Sequence, residues 1–342
     1  MNGILYFYDM TGSHFLFPKN RPLRWGVIGC GSVAEKKSVP AYQNTQDFEV
    51  VMVMRRDSQK AKDYAQRHHI AQWTTNADEV IRNSEVDAVY IATPPDSHKF
   101  YALKVATAGK PCCIEKPMAP NYADSLAIYE AFQKKDIPLF VAYYRRSLPR
   151  FLQIKKWLEE GLIGTVRHIN WQKTKPPSDL DLSGKYNWRT DSKVAPGGYF
   201  DDLASHGLDL FAFLLGDIED AHGFGTNQLG LYSAFDAVTA NWMHEKGITG
   251  SGSWNFGTYH RTDKVEILGS EGSIRFSVLD EAPLELENTS GHQTLEVAQP
   301  EHIQEFHVEN IKQHLLGNAA HPSTGETGLH TAWVMEKILG TI

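Results

Sequence analysis

Cysteine is scarce in this chain. Its 342 residues include three, Cys30, Cys112 and Cys113, and the adjacent pair falls in one strand-like run, where successive side chains point to opposite faces. No disulfide framework is expected, and a reduced, cytoplasmic setting is. A basic excess is missing too: 34 Lys and Arg face 41 Asp and Glu, a net charge of −7. The footprint needed to grip a phosphate backbone is absent, so nucleic acid is not an expected partner. No run approaches the roughly 20 apolar residues of a membrane helix. The opening stretch also lacks a basic leader and a small-residue cleavage site, so no membrane association is expected. Fifteen histidines are present, yet none falls in an H-E-x-x-H or Cys/His ligand spacing, which argues against a catalytic metal. Internal repeats and low-complexity tracts are lacking as well.

What is present is 42% hydrophobic sequence, more than one core usually absorbs, since single cores rarely grow past about 250–300 residues. Two domains are expected after an extension over residues 1–22. From Leu23 to Arg146, strand-like and helix-like segments alternate: "LRWGVIGCG", "SVAEKKSVPAYQ", "FEVVMVMRR", "SQKAKDYAQRHH", a turn around Trp73, "ADEVIRN", "VDAVYIATPP", "HKFYALKVATAG", "KPCCIEKP", and one further helix and strand. Such alternation predicts a doubly wound α/β domain with a parallel sheet over 23–146. Pro40 should bend or end its helix. Over 147–342 the rhythm changes to Gly-punctuated strands, an α+β domain with an open, mostly antiparallel sheet. One helix spans Tyr199 to Leu215 and is closed by Gly216; a last one lies in "ETGLHTAWVMEKIL". The strands carry Ile169, Trp171, Trp242, Ile248 and Trp254. An apolar sheet face of that kind predicts self-association as a homodimer or homotetramer.

"GVIGCGSVA" places Gly29, Gly31 and Ala34 as G-x-G-x-x-A between a strand and a helix, with Ser32 and Val33 inside the turn. Glycines there let the backbone turn tightly and approach a pyrophosphate seated at the helix N-terminus, so a dinucleotide is the expected cofactor. At the end of the second strand, where Asp or Glu would accept the ribose 2′-hydroxyl of NAD, stand Arg55 and Arg56. Two guanidinium groups suit a 2′-phosphate, which favours NADP, with NAD possible. The alternative is that both arginines are merely solvated and Asp57 takes the acidic role.

"PGGYFDDLASHGLDLFAFLLG" carries Asp202, His206 and Asp209 on one helical stripe. A carboxylate beside an imidazole can orient it and raise its pKa, suiting proton exchange near neutrality; alternatively the stripe is only a wet face. Lys116 closes a strand, and open α/β sheets bind ligands outside the carboxyl ends of their strands.

Together "GVIGCGSVA", "VDAVYIATPPDSH", "CCIEKPM", "VAYYRR", "WRTD", "PGGYFDDLASHGLD" and "GETGLHTAWVMEKIL" resemble the Gfo/Idh/MocA family of sugar and polyol dehydrogenases, over nearly everything from Leu23 to the end. The resemblance implies a Rossmann domain, a C-terminal domain with an open mixed sheet, and a site between them. Its E-K-P motif falls on Glu115, Lys116 and Pro117, the lysine facing nicotinamide and substrate, the glutamate holding loop and cofactor. Its D-x-G-x-H-x-x-D segment falls on Asp202, His206 and Asp209, with Ala204 where glycine is usual. "GCGSVAEKKSVPAYQ", "MRRD" and "AYYRR" are further similar to NADPH-using oxidoreductases related to 1,5-anhydrofructose reductase.

Hydride transfer to or from a sugar, keto-sugar or polyol follows as the expected reaction. His206 serves as general acid in reduction and general base in oxidation, Asp202 orients it or binds a hydroxyl, and Lys116 polarises the carbonyl. Thr93, Pro94 and His98 are expected along the cofactor, with His98 equally suited to starting a helix. Tyr144, Arg145, Trp188 and Arg189 are expected either to line the sugar pocket or to pack. A dihydrodiol or glycoside substrate on the same fold, and a cofactor-sensing protein without chemistry, are the competing readings.

Overall fold

The computed structural model describes residues 15–342, so the expected extension lies largely outside the described residues. The first sheet holds β1 (Leu23–Ile28), β2 (Phe48–Met54), β3 (Gln72–Thr74), β4 (Ala88–Ile91), β5 (Cys112–Ile114) and β6 (Leu139–Val141). They are parallel, in the order β3-β2-β1-β4-β5-β6, the doubly wound order that opens a crevice where the winding reverses. Helices bury both faces, which is why the strands read as apolar runs rather than alternating ones. Trp25, Val27 and Tyr90 point to one side, against Tyr42 and Tyr64, while Ile28, Val89 and Ile91 meet Val105 and Ile128 on the other.

Two local features differ from the sequence reading. The turn around Trp73 is the edge strand β3, too short and exposed to carry a periodic signal. The segment after the glycine loop is a π-turn over Ala34–Ser38 followed by an α-helix over Val39–Asn44, with Pro40 in the first turn of the latter. Proline lacks an N–H and its ring crowds the carbonyl four residues back, so the chain widens a turn ahead of Pro40 instead of ending there.

The second sheet has β7 (Val166–Thr174), β8 (Ile218–Thr226), β9 (Ala237–His244), β10 (Thr249–Asn255), β11 (Thr262–Gly269), β12 (Gly272–Phe276), β13 (Leu284–Asn288) and β14 (Gly291–Leu295). Their order is β14-β13-β12-β11-β7-β10-β9-β8, antiparallel except for the central β7–β10 pair. The helix Tyr199–Leu215 lies on the inner face. There Phe200 meets Trp254 at 4.9 Å and Phe211 meets Trp171 at 5.5 Å between ring centroids. Gly207 permits this approach, since a Cβ there would stand 2.2 Å from the Trp171 ring.

That packing covers, within the chain itself, the apolar residues from which self-association was expected. Ile169, Trp171, Trp242 and Trp254 all point inward and are buried, and Ile248 is half-buried in a turn. The outward row of β7 and β9 is Asn170, Gln172, Thr239, Asn241 and Met243, polar but for the exposed methionine.

The end of the chain returns to the first lobe. Val308, Ile311 and Leu315 of the helix Glu305–Leu315 enter its core, and the helix Gly325–Leu339 sets Gly325 and Gly328 against Leu139 and Val141 of β6. These contacts hold the two lobes against each other with the strand ends of the first sheet facing the long helix. No helix among the described residues is long and apolar enough to cross a membrane.

Candidate functional site

A cleft of about 440 Å³ opens between the carboxyl ends of the first sheet and the helix Tyr199–Leu215. Gly29 turns the chain from β1 into the loop that lines it. Its N–H reaches Met54 O at 2.9 Å, and its φ of +100° is a left-handed value that side chains resist. A Cβ there would lie 2.7 Å from Thr93 Cγ2 and 2.8 Å from the backbone of Ala92 and Thr93. Gly31, Ser32 and Val33 line the cleft, and the nearest atom to a Cβ on Gly31 would be 4.0 Å away, so the loop leaves room for a ligand against its backbone. No side chain caps the helical turn that follows; its Glu35 N–H bonds back to Gly31 O at 2.9 Å, while the residues ahead of it stay open to an anion at the start of the turn. This cradle fits a dinucleotide.

Ala34 was expected against the cofactor. It is fully buried instead, its small side chain letting the turn pack closely on the sheet. Gly29→Ala is expected to weaken NAD(P)H binding at least tenfold and to lower the melting midpoint, because the new Cβ must push Thr93 and strain the turn; fluorescence titration and thermal unfolding check both.

Glu115 and Lys116 follow β5. The Glu115 carboxylate accepts from Tyr90 Oη at 2.6 Å and Gln304 Nε2 at 2.7 Å, and from the Lys116 N–H at 3.2 Å. The bond between Lys116 and Pro117 is cis. Lys116 Nζ crosses to the second lobe, donating to Asp202 Oδ1 at 2.6 Å and to its carbonyl at 2.9 Å. Arg189 Nε takes the other carboxylate oxygen at 2.6 Å. Burial alone would raise the Asp202 pKa, but the charges and hydrogen bonds of Lys116 and Arg189 outweigh it and hold the carboxyl well below its usual range.

His206 lines the same cleft, 5% exposed. Its ring stands edge-on to Tyr144 at 5.4 Å and Tyr143 at 6.2 Å between centroids, and its Nδ1 is buried without a hydrogen-bond partner. The expected carboxylate–imidazole pairing is not what forms: both oxygens of Asp202 go to the two cations. Burial, then the positive charges of Arg145, Lys116 and Lys37, push the imidazole well below its ordinary 6.5, opposite to the expected direction. Asp209 leaves the site altogether, accepting from Arg146 Nε at 2.9 Å and Thr331 Oγ1 at 3.2 Å. It joins the long helix to the chain after β6 and to the C-terminal helix.

Thr93, Pro94, Tyr144, Arg145, Trp188 and Arg189 all line the cleft. His98 does not. It is fully buried, its ring nitrogens facing Thr93 O at 2.7 Å and the carbonyls of Pro117 and Met118 at 3.1 and 3.2 Å. It therefore ties together two cleft loops from behind rather than touching a cofactor. Arg55 and Arg56 stand at the end of β2, outside this volume; Arg55 donates to Cys30 O at 3.0 Å, and Asp57 is occupied as the cap of the next helix, accepting from Lys60 N at 3.0 Å. The sequence reading missed Lys37, Leu203, Leu279 and Gln304, which also line the cleft. Lys37 carried a signal, lying just before Pro40 in the loop-following turn. Gln304, nearly two hundred positions from Glu115, carried none.

Comparison with known proteins agrees with this architecture. Residues 23–143 match the oxidoreductase family with an NAD-binding Rossmann fold, and residues 151–275 match the Gfo/Idh/MocA C-terminal domain. Oxidoreductase P35 of Formosa agariphila is 36% identical over 320 residues, covering 93% of this chain and 99% of that protein. A 1,5-anhydro-D-fructose reductase of Ensifer adhaerens is 26% identical, covering 90% and 92% of the two chains. A levoglucosan dehydrogenase solved with NADH superposes with a TM-score of 0.84 at 24% identity, over 93% of this chain and 96% of that one. With both lobes matched in order and a full-length relative above 30% identity, the chain belongs to the Gfo/Idh/MocA oxidoreductase family, the family of NAD-binding Rossmann fold oxidoreductases.

Proposed function

We propose that this protein transfers hydride between NADP(H) and a polyhydroxylated, sugar-like carbonyl or alcohol. The observation that carries the reading is the Lys116–Asp202 contact of 2.6 Å across the lobes, beside His206 and at the mouth of the glycine loop. The sugar-acting names among its relatives, 1,5-anhydro-D-fructose reductase and levoglucosan dehydrogenase, support the substrate class.

A bound nicotinamide dinucleotide would supply or accept the hydride, held by the loop from Gly29 to Val33, Thr93, Pro94 and Glu115. Lys116, its side chain 11% exposed, places its ammonium where negative charge develops on the substrate oxygen, and a charge largely out of water counts more there. His206 exchanges the proton of that oxygen; kept neutral by its surroundings, it accepts one when an alcohol is oxidised. Asp202 fixes the ammonium and the Arg189 guanidinium, leaving their remaining N–H donors for substrate hydroxyls.

The preference for NADP is supported by Arg55 and Arg56 at the β2 end and by the engagement of Asp57 as a helix cap. Arg56→Ala should raise the Kd for NADPH roughly tenfold or more, the loss of one charge-assisted hydrogen bond, while leaving that for NADH within about twofold. The reading as a whole is tested by assaying keto-sugars and polyols with both cofactors in both directions. Turnover of at least one class supports it. Tight cofactor binding with no turnover across the panel would replace it with a cofactor-sensing role.

A further inference from the structure

The cleft carries more positive charge than the chain neutralises. Its lining includes four cations, Lys37, Lys116, Arg145 and Arg189, and two carboxylates, Glu115 and Asp202. Lys116 and Arg189 share Asp202, and the Glu115 side chain is held by the neutral groups of Tyr90 and Gln304. Lys37 and Arg145 are left over, with no carboxylate of the described residues in ion-pair contact with either.

Arg145 is the sharper case. It lies on the short turn Tyr144–Ser147 after β6 and is 7% exposed. Its Nε donates to Val278 O at 2.8 Å and its guanidinium lies 4.9 Å from the Tyr144 ring centre, but Nη1 is buried without a hydrogen-bond partner. The neighbouring Arg146, equally buried, has Asp209. A guanidinium cannot shed its proton, and a charge withdrawn from water is ordinarily paired. Among the described residues no carboxylate meets this charge, and the open side of Arg145 is the cleft it lines, so its counter-charge is to be sought there.

The cofactor's pyrophosphate does not supply it. That group belongs at the loop after β1, whereas Arg145 follows β6, and the order β1-β4-β5-β6 sets three strand spacings, roughly 14 Å, between the two strand ends. We infer that the substrate bears an anionic group, a carboxylate or a phosphate, and that Arg145 seats it, with Lys37 adding to the positive field from the side of the glycine loop. With Nε taken by Val278 O and Nη1 enclosed, Nη2 is the donor left toward the cleft, and a charge-assisted hydrogen bond from it suits either anion. This rests on the redox reading above and narrows its substrates to sugar acids or sugar phosphates.

The test titrates D-glucose, D-glucuronate and D-glucose 6-phosphate into the full-length, cofactor-loaded protein by calorimetry and follows cofactor turnover in parallel. One of the two anions should bind roughly 10- to 100-fold more tightly than glucose, and which one distinguishes carboxylate from phosphate. The advantage should shrink as salt is raised. Arg145→Met should reduce it to within about threefold, and Arg145→Lys should restore part of it. Because Arg145 is buried, Lys37→Gln at an exposed position is the second variant, expected to cut the advantage a few-fold with an unchanged melting midpoint. Glucose binding as tightly as both anions, or neither anion binding, overturns the inference. Turnover of neutral sugars in that case leaves the redox reading standing, whereas anion binding with no cofactor turnover here or across the keto-sugar and polyol panel sinks the redox reading and keeps the seat.

Discussion

Lys116→Ala is expected to lower kcat/KM by roughly 10²- to 10³-fold, the loss found when a preorganised electrostatic partner of a developing oxyanion is removed, about 2.7–4 kcal/mol. Cofactor Kd should stay within about threefold, because the glycine loop, Thr93 and Glu115 remain. The geometry argues for a chemical rather than a structural loss. Asp202 keeps Arg189 at 2.6 Å when Lys116 is gone, so the buried carboxylate is not left without a cation, and the severe penalty of an orphaned buried charge is avoided. Lys116→Arg should not rescue the rate, since the larger planar group cannot reach both the Asp202 carboxylate and its carbonyl as the ammonium does at 2.6 and 2.9 Å. Steady-state kinetics alongside a fluorescence titration separates the two quantities; unchanged kcat/KM in Lys116→Ala would remove the lysine from the chemistry.

The features legible in the sequence were those with local causes. A strand, a glycine with φ of +100° and a helix within a dozen residues announce the nucleotide loop because backbone sterics demand them there. The helix Tyr199–Leu215 was readable for the same reason, its apolar period running unbroken to Gly216. What stayed hidden depends on distant partners. In β7 the alternation of Ile169 and Trp171 with Asn170 and Gln172 shows that one face is apolar, but nothing in it tells whether a helix or a second subunit covers that face. Helical spacing correctly put Asp202 and His206 on one stripe. It could not reveal that a lysine from the other lobe would take the carboxylate first, and so the sign of the His206 shift was read backwards. Gln304 sits in an irregular stretch before a helix, and its bond to Glu115 exists only because the end of the chain folds back onto the first sheet.

His206→Gln tests the other half of the site. The amide keeps a polar atom near the ring's position without proton exchange, so kcat for alcohol oxidation should fall roughly 10²- to 10⁴-fold, the usual worth of a positioned acid–base group. The wild-type pH profile carries the finer claim. Burial and the charges of Arg145, Lys116 and Lys37 lower the imidazole's proton affinity, so the neutral form that accepts a proton persists through neutrality and below pH 6.5. Oxidative kcat/KM should therefore stay level as pH falls past 6.5 and decline only well beneath it. Reductive kcat/KM, which draws on the protonated ring, should keep rising over the same interval. Arg145→Met removes the first-named of the three cations and should move both limbs toward higher pH, while His206→Gln should abolish them. A wild-type oxidative limb centred at or above 6.5 would show that another group, or a differently solvated histidine, handles the proton.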